Sequence, residues 1–216
     1  AVFSGLITHA GGSYDVDTED ALRLRAQGER DGICLAKKLL EDAGFYSDIV
    51  SVGSTPTALY SENLDGVTEL RAGVYVFFDL FQAGVGSCEI KDIATSLLVT
   101  VIGHQKEKGW IITDGGWMAM SRDRGTANQK VDQGYGLVCD INGQPIKQLW
   151  MSGANQEHGI ISARNGNKIN FEQYPIGKRL RILPNHACPF AAQHPQYFVV
   201  DGSTEITDVW NRFYGW

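Results

Sequence analysis

The sequence predicts an α/β segment followed by a β-rich one: the closing βα units of a TIM-type barrel over residues 1–66, feeding a mainly antiparallel β domain over residues 67–216. Three observations predict it. The first sixty residues read strand, helix, strand, with polar and Gly-rich loops at the strand ends, the order expected of βα units. From Val67 onward, short apolar runs of strand length alternate with turn residues, and no long helical pattern intervenes. Two hairpin-grade turns, Asp140-Ile141-Asn142-Gly143 and Arg164-Asn165-Gly166-Asn167, punctuate that second half.

Taken in order, Leu6-Ile7-Thr8 is a short strand running into the turn Ala10-Gly11-Gly12-Ser13. Residues 18–44 carry Leu22, Ala26, Ile33, Ala36, Leu40 and Ala43 at three-, four- and seven-residue intervals, the apolar stripe of a helix. Asp17 or Thr18 suits its N-cap and Gly44 its C′ position, while Gly28 and Gly32 weaken its middle and leave a break into two pieces open. Residues 48–52 form a buried-type strand, followed by a loop, Gly53-Ser54-Thr55-Pro56-Thr57. Further strands are expected at 74–79, 96–102, 110–113, 136–140, 148–152, 159–162, 168–171, 179–183 and 197–200.

Composition narrows the function. Of 216 residues, 19 are basic and 25 acidic, a net charge of −6 that disfavours a nucleic-acid surface, which needs clustered Lys and Arg. No apolar run approaches the roughly 20 residues of a membrane-crossing helix. Cys34, Cys88, Cys139 and Cys188 are scattered without a CxxC pair, so free thiols in a reducing, cytoplasmic setting are expected. The first residues show no basic segment followed by an apolar one, hence no signal peptide.

Two strings can carry chemistry. Gly53-Ser54-Thr55, directly after a strand, offers backbone N–H groups and hydroxyls to a phosphate, although the same residues also make an ordinary helix-capping loop. His186 and Cys188, at i and i+2, fall on one side of an extended segment, where an imidazole and a thiolate can meet one soft cation such as Zn²⁺. A bare His-x-Cys is short, and a buried cysteine beside a hydrogen-bonded histidine is its plain reading. His104 and His194 read as loop residues, and Asp114 closes a strand beside a Gly pair that permits close backbone approach. Hydrolase and nucleotide-binding motifs are absent from the string.

In this order the pieces resemble the fold-type III pyridoxal-phosphate (PLP) family of D-serine dehydratases and D-threonine aldolases. The strings are Leu6-Ile7-Thr8-His9-Ala10-Gly11-Gly12-Ser13-Tyr14, Ser51-Val52-Gly53-Ser54-Thr55-Pro56-Thr57, residues 68–79, Asp114-Gly115-Gly116-Trp117 with Ser121, Gln156-Glu157-His158-Gly159, and Pro184-Asn185-His186-Ala187-Cys188. The resemblance implies that Gly53, Ser54 and Thr55 hold the PLP phosphate, that Tyr14 lies beside the pyridine ring with His9 in the same loop, and that His186 and Cys188 are the metal pair. It also makes Glu157 and His158, in the segment near the metal, candidate catalytic groups; Gln156 departs from the family's first Glu, which puts a direct role for that position in doubt.

The family's Schiff-base lysine stands early in the barrel, and here the first lysine is Lys37, inside the predicted helix. The chain is therefore expected to be a C-terminal portion that does not form the Schiff base alone and needs an N-terminal segment, in the same or a separate polypeptide. What the resemblance implies is a PLP- and Zn²⁺-dependent lyase acting on a β-hydroxy-D-amino acid, in particular D-serine, working as a homodimer. His-x-Cys goes with the dehydratases, whereas a carboxylate at the second position would suit Mn²⁺ or Mg²⁺ and an aldolase. A D-threonine aldolase activity, a non-catalytic metal-binding β domain, or one half of a two-chain enzyme are the alternatives.

Overall fold

The computed structural model describes residues 2–71 and 73–213; Ala1, and Ala72 in the string 68–79, lie outside the described residues. The chain forms two compact units, one made of residues 1–78 with 82–92, the other of residues 79–81 with 93–216. The expected boundary after residue 66 falls inside the first unit, because the next strand still belongs to its sheet.

That sheet is parallel and has the order β1-β2-β3, with β1 Gly5–Ile7, β2 Ile49–Val52 and β3 Glu69–Leu70. Between β1 and β2 runs α1, Glu19–Asp42, a single helix without a break at Gly28 or Gly32. A glycine inside a helix costs about 1 kcal/mol relative to alanine, too little to interrupt 24 cooperative residues. The Thr18 hydroxyl caps its start by accepting from the Ala21 N–H, and Gly44, at φ +87°, ends it in the left-handed conformation that disfavours any side chain. Leu22, Ala26 and Ile33 face inward, and Ile33 packs with Val50 and Val52 against Leu6, Cys34 and Val67. The strand–helix–strand order is thus present; three parallel strands do not by themselves make the eight of a closed barrel.

Two expectations fail locally. The loop after β2 is mostly a short helix, α2 Thr55–Tyr60, because Ser54 and Thr57 form a reciprocal cap and Pro56 fits the first turn. The apolar run 74–79 contains a 3₁₀ turn, Val74–Val76, rather than a strand. Apolar content alone does not separate strand from helix in so short a run, and Phe78 at φ 51° breaks any extended course.

After α3, Leu80–Val85, the second unit builds a six-stranded sheet from β4 Leu97–Gln105, β5 Trp110–Thr113, β6 Leu137–Cys139, β7 Leu149–Ala154, β8 Gly159–Ala163 and β9 Arg179–Leu183. The order is β6-β9-β4-β5-β8-β7, antiparallel throughout. Its edges meet, since the Tyr135 N–H donates to the Met151 carbonyl (2.8 Å) and the Met151 N–H to that of Gly136 (3.0 Å), so the sheet nearly closes on itself. Val99, Val101, Ile111, Val138, Met151, Ile161, Leu180 and Ile182 fill the interior. The expected strand at 168–171 is irregular chain leading to a 3₁₀ turn at Phe171–Gln173. Beyond β9 lie α4, Ala187–Ala192, and an antiparallel pair of β10, Gln196–Val199, with β11, Asp208–Asn211.

Candidate functional site

In the second unit the metal candidate sits where β9 turns into α4. His186, with extended dihedrals (φ −141°, ψ 110°), is the residue before α4, and Cys188 is the second residue of that helix. Strand alternation therefore does not bring the pair together, as its spacing suggested; a strand-to-helix turn does. The turn is tied from several sides. Asp79 Oδ2 accepts the Ala187 N–H at 2.8 Å. Asn185, 2% exposed, donates through Nδ2 to the Asp123 and Gly134 carbonyls and accepts from the Thr126 hydroxyl.

His186 Nδ1 lies 2.6 Å from Asp123 Oδ2. The neighbouring Cys188 side chain raises the imidazole pKa to about 9; burial opposes the rise, and Asp123 adds to it. The two side chains thus meet, with an exposed thiol and a half-buried imidazole. Imidazole and thiol are a soft donor pair suited to a divalent ion of the Zn²⁺ type. Among the described residues no cluster of three or more His, Cys, Asp or Glu side chains is placed to hold a metal, so water or substrate oxygen would complete such a shell.

Glu157 and His158 are exposed, and no hydrogen bond or ion pair joins their side chains to His186 or Cys188 among the described residues. Their turn is held by main chain. The Trp117 and Met118 N–H groups donate to the Asn155 and Gln156 carbonyls (2.9 and 3.0 Å), and a Cβ on Gly116 would stand 2.3 Å from the former and 2.5 Å from the latter. The Gly pair after Asp114 thus permits the close approach its sequence suggested. Position 156 contributes its carbonyl to this turn.

The phosphate candidate lies in the first unit. Gly53, Ser54 and Thr55 are buried, and a Cβ on Gly53 would stand 2.0 Å from the Arg71 carbonyl oxygen, so only glycine fits. Most donors here already have partners. The Gly53 N–H donates to Glu29 Oε1 (3.0 Å), the Ser54 hydroxyl caps α2 and touches that of Ser13 (3.1 Å), and the Thr57 hydroxyl donates to Glu29 Oε2 (2.6 Å). Of the three residues, Thr55 alone carries a side chain with no hydrogen bond among the described residues, and it opens α2. His9 Nδ1 donates to the Gly53 carbonyl at 2.8 Å, and its ring lies 5.8 Å from that of Tyr14, so His9, Tyr14 and Gly53 are one cluster.

Asp123, Glu29 and Arg71 escaped the sequence reading. Asp123 stands among Arg122 and Arg124, and Glu29 on a charged stretch of α1, both indistinguishable in a string from solvated charges. Arg71, inside the string 68–79, donates to the Ser51 hydroxyl (2.8 Å) and to the Thr8 carbonyl.

Residues 94–200 match the family model described as "Putative serine dehydratase domain". The chain is 54% identical over 216 residues to D-threo-3-hydroxyaspartate dehydratase of Delftia sp. (strain HT23), covering 98% of this chain and 56% of that protein. It is 33% identical over 214 residues to D-serine dehydratase of Dictyostelium discoideum, covering 94% and 52%. The solved Delftia enzyme superposes with a TM-score of 0.93 over 99% of this chain and 57% of its own. An alanine racemase-like protein of Idiomarina loihiensis gives 0.91 at 49% identity, over 99% and 57%. A D-threo-3-hydroxyaspartate dehydratase has also been solved with a histidine replaced by alanine and, two positions further on, with a cysteine replaced by alanine, the latter in the metal-free form. The chain spans about half the length of the curated relatives it matches. It belongs to the fold-type III PLP-dependent family of D-serine dehydratases, D-threo-3-hydroxyaspartate dehydratases and related aldolases, and corresponds to a portion of its members.

Proposed function

We propose that this chain supplies the metal-binding half of a PLP- and Zn²⁺-dependent lyase that dehydrates a β-hydroxy-D-amino acid. The observation that carries the reading is the meeting of His186 and Cys188 at the β9–α4 turn. A histidine and a cysteine of the same spacing are the residues replaced in solved D-threo-3-hydroxyaspartate dehydratase variants, the cysteine variant in the metal-free form. PLP, when bound, supplies the electron sink that makes the substrate Cα–H acidic. The ion held by His186 and Cys188 would supply Lewis acidity to the β-hydroxyl, a poor leaving group near neutral pH.

The remaining roles belong to the chain. Thr55 offers its N–H and hydroxyl to the cofactor phosphate, Gly53 and Ser54 shape that turn, and Tyr14 and His9 form its aromatic flank. Glu157 and His158, on an exposed turn pinned by Gly116, are the candidate proton-handling groups. The Schiff-base lysine is expected on a segment outside this sequence, and a cytoplasmic homodimer is the expected working form. The first unit is assigned to the cofactor-binding βα-barrel and the antiparallel sheet of the second to the metal domain.

D-serine and D-threo-3-hydroxyaspartate are the substrates to compare, and the higher identity to the second enzyme favours it. The aldolase alternative is weaker because Cys188 supplies sulfur where a harder ion would call for oxygen. The test is turnover of both amino acids by the complete protein, followed as release of ammonia with the matching 2-oxo acid. Cys188→Ala should abolish the metal-dependent rate; full activity of that variant without metal would overturn the assignment.

A further inference from the structure

We propose that Asp123 is a positioning residue for the metal site, fixing the His186 ring so that Nε2, and not Nδ1, faces the ion. The proposal rests on the His186–Cys188 metal reading and deepens it. A neutral imidazole carries one N–H and one lone pair, and whichever nitrogen donates a hydrogen bond leaves the other to ligate. Here Nδ1 lies 2.6 Å from Asp123 Oδ2, an acceptor-only partner, so the proton stays on Nδ1.

The main chain that carries the carboxylate is itself held in place. The Asp123 N–H donates to the Ser121 hydroxyl (3.0 Å), and its carbonyl accepts from buried Asn185, the residue next to His186. Asn185 also reaches the Gly134 carbonyl at 2.6 Å and accepts from the Thr126 hydroxyl at 3.0 Å. The loop 121–126 and the turn 184–186 are therefore locked together twice, once through Asn185 and once through the ring. Such a carboxylate–histidine pair settles the tautomer and makes the free nitrogen a better donor; losing the carboxylate typically weakens metal binding ~10- to 100-fold.

The experiment measures Zn²⁺ affinity of the intact protein by competition with a chromophoric chelator, together with ¹H–¹⁵N spectra of the histidine rings in the Zn²⁺-loaded protein, in which a ligating ring is neutral. Asp123→Ala should bind Zn²⁺ ~10- to 100-fold more weakly and lose the single Nδ1–H form of His186. Asp123→Asn, whose amide oxygen still accepts the ring N–H, should keep that form and lose clearly less affinity. Should Asp123→Ala fail to fold, Asp123→Ser, too short to reach the ring, takes its place. Wild-type affinity and an unchanged ring in the shortened variant overturn the positioning role while leaving the metal site intact. Equal losses in the Asn and Ala variants with an unchanged ring overturn it in favour of direct ligation. Wild-type protein that takes up no Zn²⁺ overturns both this inference and the metal reading beneath it.

Discussion

His186 holds its proton up to about pH 9 when no metal is present, chiefly through the neighbouring Cys188 side chain. Its ordinary value, which the unfolded chain keeps, is 6.5. A group whose folded pKa is raised stabilises the fold fully below the unfolded value and loses that contribution as pH climbs through the folded one. Metal-free protein should therefore lose denaturant resistance between pH 6.5 and about 9 relative to His186→Ala, a difference read from urea midpoints at the two ends. Metal uptake must displace the same proton, so Zn²⁺ affinity should rise over that interval. The cysteines separate by burial. Burial pushes the Cys139 thiol up to about 12, with Asp140 adding to it and Arg181 opposing, whereas Cys188 is exposed. At pH 8 a thiol reagent should label Cys188 and spare Cys139 until the protein unfolds, and bound Zn²⁺ should protect Cys188; mapping the labelled peptides by mass checks this. From the string alone His186 and Cys188 were legible as a pair, but Asp123 was not, because a partner 63 positions away leaves no local signature.

Among the elements, glycines divide by what surrounds them. Gly116 lies against the carbonyls of Asn155 and Gln156 and the N–H of His158, all within 2.5 Å of where a Cβ would stand. Because rigid main chain cannot yield as a flexible side chain does, Gly116→Ala should cost about 1–3 kcal/mol or more, seen as a lower urea midpoint. Gly28 and Gly32 of α1 have nothing within 4 Å, so Gly28→Ala and Gly32→Ala should each stabilise the fold by ~0.5–1 kcal/mol, seen as a higher midpoint. The expected strands at 110–113 and 179–183 coincide with β5 and β9, and the helix at 18–44 with α1, because each has its own periodicity and end signals. The run at 74–79 misled because apolar side chains also line a 3₁₀ turn, that at 168–171 because its short polar–apolar alternation lies in irregular chain, and α2 was hidden because its six residues are too short to show a period.

For the molecule as a whole, buried strands and exposed ribbon should differ in cooperativity. Val101, Ile111, Ile161 and Ile182, at 0% exposure, should exchange their amide hydrogens only on global unfolding, while exposed β11 should exchange through local opening; native-state hydrogen exchange distinguishes the two. By itself the sequence determined the class of each half, the extent of α1, most strands of the antiparallel sheet, and the short strings that mark the family. Those are local properties, written in periods of two and 3.6 residues and in the few residue types that phosphate or metal chemistry tolerates. Only the tertiary structure decided that residues 67–78 join the first unit and that β6 and β7 meet to nearly close the sheet. It alone decided, too, that Glu29 binds the Gly53 turn and that Asp123 stands behind His186. These are contacts between residues far apart in the chain, and they depend on how the strands stack, which no window of sequence encodes.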